Sequence, residues 1–106
     1  MYNNRNRLTM TEELVTLETA ELLKEKGMFT DIQFPSQFIA QKWLRETKNL
    51  HISIIRNACG YSYDICKADN GTHISEGIFK GPNDGGQWDT YEEALEAGIQ
   101  EALKLI

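Results

Sequence analysis

His51 and His73 are the chain's two histidines, and Cys59 and Cys66 its two cysteines. Imidazole and thiolate are the usual donors to zinc, so these four are the first candidates for metal chemistry. Their spacing argues against it. Neither histidine stands four residues from a second ligand on a helix, and positions 51, 59, 66 and 73 match no finger pattern. All four would have to converge from strands and turns. The reading is therefore no metal and no cofactor. The cysteines also lack C-x-x-C spacing, and two free thiols in a reducing compartment fit them better than a disulfide.

Hydrolytic chemistry finds no anchor either. General acid–base work needs a carboxylate with a shifted pKa in a cleft. Glu92, Glu93, Glu96 and Glu101 are spaced instead as on the solvated face of a helix. Ser53, Ser62 and Ser75 fall in alternating segments, and no G-x-S-x-G elbow surrounds any of them. The glycine-rich run GPNDGG is not followed by G-K-[ST], so it is no phosphate loop. With no nucleophile, base and orienting group to name together, the chain reads as non-enzymatic.

Binding remains. Lys42, Arg45, Lys48 and Arg56 form a basic run around Trp43 and are the contacts that nucleic acid would use. The charge balance disfavours that use. Residues 1–34 carry four bases and six acids, residues 35–68 five and two, and residues 69–106 two and eight, which sums to −5. A phosphate-binding domain is usually basic overall. A protein partner, or a second copy of the chain, is the better reading. Trp88, after the glycine-rich run, and Glu92 and Glu96 behind it are the candidate contacts. Trp43 shares a face with Ile39, Ala40 and Leu44 and reads as core.

The elements that must position these residues are legible. Tyr91, Ala94, Leu95, Gly98, Ile99, Ala102, Leu103 and Ile106 recur at helical spacing, and Thr90 with Glu93 forms a capping box. Gly98 lies on this stripe at a cost of roughly 1 kcal/mol relative to alanine. A close backbone approach inside the domain explains it better than one across a dimer. Thr16 caps a helix LETAELLKEK that Gly27 ends, and Ser36 caps QFIAQKWLRETK, with Asn49 as its stop. Leu50, Ile52 and Ile54 alternate with polar residues, as do Tyr61, Tyr63 and Ile65 beyond a turn at Asn57–Gly60. Asn70-Gly71 signals a hairpin. His73–Lys80 is the third strand, with Gly77 either weakening it or marking a bulge.

The predicted fold is α+β in the order α-α-β-β-β-α, a three-stranded antiparallel meander with helices on one face. Tyr61, Tyr63, Ile52, Ile54 and the stripe of the last helix supply its core. Residues 1–9 read as a flexible tail, Met10 as an alternative start, and 10–106 as one domain. No apolar run approaches the ~20 residues of a membrane span, and no apolar segment follows Arg5 and Arg7 as a signal peptide would need. The expected setting is cytoplasmic.

The segments TLETAELLKEKGM, QKWLRETKNLHI and TYEEALEAGIQEALKLI resemble a group of short uncharacterised proteins of bacterial genomes and their phages. The resemblance covers about half the chain. It implies a mobile-element origin and an accessory role, and it carries over no catalytic residue. The α-β-β-β-α order from Ser36 is similar to that of double-stranded-RNA-binding domains, which carry lysines where this chain reads TYEEALE, so their phosphate contact does not transfer. The first two helices and a following hairpin also resemble winged helix-turn-helix proteins, but Met28–Pro35 is longer than the usual turn.

Overall fold

The computed structural model describes residues 13–28 and 34–106. The expected tail at 1–9, the start at Met10 and most of the irregular stretch Phe29–Phe34 lie outside the described residues. The element order is the predicted one: α1 (Leu17–Glu25), α2 (Gln37–Thr47), β1 (Leu50–Asn57), β2 (Gly60–Lys67), β3 (His73–Glu76) and α3 (Tyr91–Lys104).

Each helix starts at the cap its sequence supplies. The hydroxyls of Thr16, Ser36 and Thr90 accept from the amides of Thr19, Ile39 and Glu93, and the Thr90–Glu93 pair completes a capping box. Just beyond the end of α2, Asn49 takes a left-handed φ of 59°, a conformation that asparagine tolerates.

The strands form one antiparallel sheet in the order β1-β2-β3. Ile52 pairs with Ile65 and Ile54 with Tyr63, so the period of two points these residues to one face. Helices α2 and α3 lie on the sheet, and α1 packs on α3. Leu23, Leu44, Ile52, Ile65, Ile99 and Leu103 are fully buried between the layers. A Cβ on Gly98 would stand 3.0 Å from Ile52 Cγ2 and 3.1 Å from Tyr63 Cβ. The mid-helix glycine thus serves a close approach of α3 to the sheet inside the domain.

Four details differ from the sequence reading. The third strand ends at Glu76, not Lys80. The Gly77 amide still donates to Tyr63 O, but a Cβ at 77 would fall 2.5 Å from the Tyr63 ring, and beyond it the chain turns away. The bulge lies not at Gly77 but at the register shift between Ile65 and Cys66, opposite Ile74. Asn70-Gly71 belongs to a loop from Ala68 to Thr72, longer than a two-residue hairpin, in which the Lys67 amide donates to Thr72 O. Tyr91 and Ile106, at the ends of the apolar stripe, overhang the core and stay exposed.

Burial, and after it the Glu101 carboxylate, pushes the Tyr63 phenol from 10.0 up to about 12. In the unfolded chain the phenol titrates near ~10. Below that pH both states keep the proton and the stabilisation is complete. Between 10 and 12 the unfolded state alone releases it, so stability falls as pH rises. Denaturant titrations should show a loss of up to about 1.4 kcal/mol per pH unit across that window, and Tyr63→Phe should flatten it.

Candidate functional site

Just ahead of α1 and α2 the chain pairs with itself. Leu14 and Ser36 form an antiparallel bridge, in which the Val15 amide donates to Pro35 O at 3.0 Å and the Gln37 amide to Glu13 O at 2.8 Å. This sets the two helix starts side by side. Helix α3 joins them through Glu96, whose carboxylate accepts from the Thr16 amide, the Thr16 hydroxyl and Gln37 Nε2, each at 3.0 Å. Gln37 Nε2 also donates to Glu92 O at 2.8 Å.

Three helix starts therefore meet at one place. Between them opens a cleft of about 360 Å³ lined by Glu13, Leu14, Thr16, Gln37, Thr90, Glu92, Glu93 and Glu96. Helix N-termini carry partial positive charge, and carboxylates answer it. Glu96 is spent in this way, and Glu93 accepts from the Thr90 amide at 3.2 Å. Among the described residues, Glu13 and Glu92 make no side-chain hydrogen bond, and no lysine, arginine or histidine lines the cleft. Exposed apolar residues adjoin it in sequence. Leu14 is 55% exposed, and Leu17 and Phe38, each next to a lining residue, are 58% and 60% exposed. Acid with exposed hydrocarbon suits a ligand that presents cations and apolar side chains together.

No family profile, no curated protein and no solved structure matches this chain. What the site can do rests on its own geometry.

Of the residues singled out in the sequence, Glu92 and Glu96 line the cleft, with Glu96 acting as the clasp of the three starts. Trp88 is elsewhere. Its amide and carbonyl exchange hydrogen bonds with Tyr61 at 2.9 and 2.8 Å, and its ring tilts against Tyr63 with centroids 5.6 Å apart. Half-buried against the core, Trp88 extends the pairing along β2 past the end of β3. The exposed aromatic of this region is Phe79, 82% exposed at a left-handed φ of 64°. It fell inside the expected third strand, where alternation gave no reason to single it out.

The basic run separates in space. Lys48 Nζ stands 5.5 Å over the Trp43 ring, and Arg56 lies 4.9 Å over Tyr61. These two cations flank β1, which spans roughly 25 Å at the usual rise per residue. Lys42 is exposed and Arg45 half-buried on α2. The run is thus a cluster on α2 plus one distant arginine.

The scarce ligands fare differently. The register places His51, Cys66 and His73 in one row across the sheet, on the face away from the helices. Cys59 stands in the turn before β2, some ~20 Å from Cys66 by strand rise, beyond disulfide reach, and both thiols are free.

Proposed function

We propose that this domain is a non-enzymatic binding module that takes a basic, apolar segment of a protein partner into the cleft where the three helices start. The observation that supports this most is that Glu13 and Glu92, which make no side-chain hydrogen bond among the described residues, line the cleft beside the exposed Leu14, with the exposed Leu17 and Phe38 adjoining lining residues in sequence. Leucine and phenylalanine left in solvent around a concave acidic surface mark an interaction site better than scattered exposure does. Trp88 contributes by holding the fold. Among the described residues no helix is long and apolar enough to cross a membrane. A cytoplasmic accessory protein of a bacterial or phage genome, with two free thiols, is the setting that fits.

The test is an amide NMR titration with an amphipathic lysine–leucine peptide. Shifts are expected at residues 13–17, 36–38 and 90–96. Glu13→Lys combined with Glu92→Lys should weaken binding by at least ~10-fold, since like charges facing each other across an interface cost several kcal/mol. An unchanged affinity in that variant sinks the proposal. Nucleic acid is the second reading, favoured only by the exposed Lys42 and Lys48 with half-buried Arg45 between them. Duplex DNA or RNA that shifted residues 42–48, reversibly with salt, would move the assignment there.

A further inference from the structure

The open face of the sheet carries a second constellation, independent of the cleft. In a regular strand, residues three apart point to opposite faces. His73 and Glu76 are three apart, yet both stand on the outer face of β3. The cause is the bulge opposite Ile74: Cys66 pairs with His73 and Asp64 with Glu76, with one extra residue taken up between them. Asp64 projects to that same face, because its neighbours Tyr63 and Ile65 point into the core. The result is that His73 Nδ1 lies 3.0 Å from Asp64 Oδ1 and His73 Nε2 lies 3.5 Å from Glu76 Oε1. One donor atom from each of the three residues falls within 4.8 Å of the other two.

We propose that Asp64, His73 and Glu76 form a surface site for a divalent transition-metal ion, with zinc as the best match. Zinc takes imidazole nitrogen and carboxylate oxygen at about 2.0–2.2 Å, which sets donors of a tetrahedral site roughly 3.3–3.6 Å apart. Asp64 and Glu76 meet opposite ring nitrogens of His73, whereas an ion takes one nitrogen, so one carboxylate must swing for the donors, now within 4.8 Å of one another, to reach that spacing. One nitrogen and two oxygens also select the ion class: imidazole suits zinc, copper and nickel, whereas calcium and magnesium prefer all-oxygen shells. Three protein donors leave one position open to water or to a fourth ligand. Cys66 is the direct neighbour of His73 in the row, but its sulfur is not among the donors that fall within 4.8 Å of one another. Next along β2 on the same face, Ser62 is buried, and its Oγ has no hydrogen-bond partner among the described residues. It is an unmet polar group at the border of the site.

Zinc chloride titrated into the full chain, followed by calorimetry and by amide NMR, tests this. One equivalent should bind, with shifts centred on residues 64–66 and 73–76. His73→Ala should reduce affinity by at least ~10-fold, and Asp64→Asn should reduce it too. Both side chains are partly exposed, so both variants should fold. Glu13→Gln with Glu92→Gln should bind zinc as the parent does, which separates this site from the cleft. Equal affinity in His73→Ala, or shifts confined to the cleft residues, overturns the proposal.

Discussion

Gly98→Leu is expected to destabilise the domain by about 3 kcal/mol or more. Position 98 faces the sheet from the middle of α3, and even a bare Cβ there would meet Ile52 Cγ2 and Tyr63 Cβ at 3.0 and 3.1 Å. Both neighbours are buried and have no room to retreat. Overpacking of a dense core costs ~1–3 kcal/mol, and more where the backbone must shift. A leucine adds three further carbons at the contact that sets the spacing between layers. Against a typical total of ~5–15 kcal/mol, that loss should move the urea midpoint far down with little change in slope. Gly98→Ala is the instructive contrast. The gain in helix propensity, about 1 kcal/mol, opposes a contact tight by a few tenths of an ångström, so that variant should stay within about 1 kcal/mol of the parent.

Trp88→Ala should unfold the domain more readily by about 2–3 kcal/mol, somewhat below the ~3–5 kcal/mol of a fully buried aromatic. The ring packs on Tyr63 and the core, and it steadies the two backbone hydrogen bonds to Tyr61. Peptide binding in the cleft should survive in the fraction that remains folded. A normal melting curve with lost binding would return Trp88 to the role of partner anchor. Gly60 supports the structural role: its φ is 133°, and a Cβ there would stand 2.4 Å from Trp88 O. The chain is thus shaped to let the Trp88 segment lie against β2.

Periodicity and caps made most of the fold readable. Thr16, Ser36 and Thr90 each begin a helix because a short hydroxyl side chain reaches an amide that has no other partner, a rule that is local in sequence. The alternation of Leu50, Ile52 and Ile54 gave both the strand and its buried face. The third strand ends short of the predicted Lys80 because Gly77 keeps its ladder hydrogen bond while giving way to the Tyr63 ring, and that contact is tertiary. The candidate sites were harder to read for the same reason. Glu92 and Glu96 stand out as an acidic helix face, but Glu13, Leu14 and Gln37 reach the cleft only through the bridge between Leu14 and Ser36. His73 carried its chemistry openly. Its partners Asp64 and Glu76 were hidden behind a bulge that changes which residues share a face, and no simple alternation announces such a shift.

Helix α1 has one more consequence, for the order in which the molecule is made. Its polar ties run to the far end of the chain: Thr16 to Glu96, Gln100 Nε2 to Thr19 at 2.9 Å, and Lys26 Nζ to Ile106 O at 2.6 Å. Nine residues are too few to hold a helix alone in water. The first of the described helices therefore gains these polar partners only after α3 has emerged from the ribosome. The meander, with its local pairings, can assemble while the chain is still growing, and α1 docks only once α3 is in place.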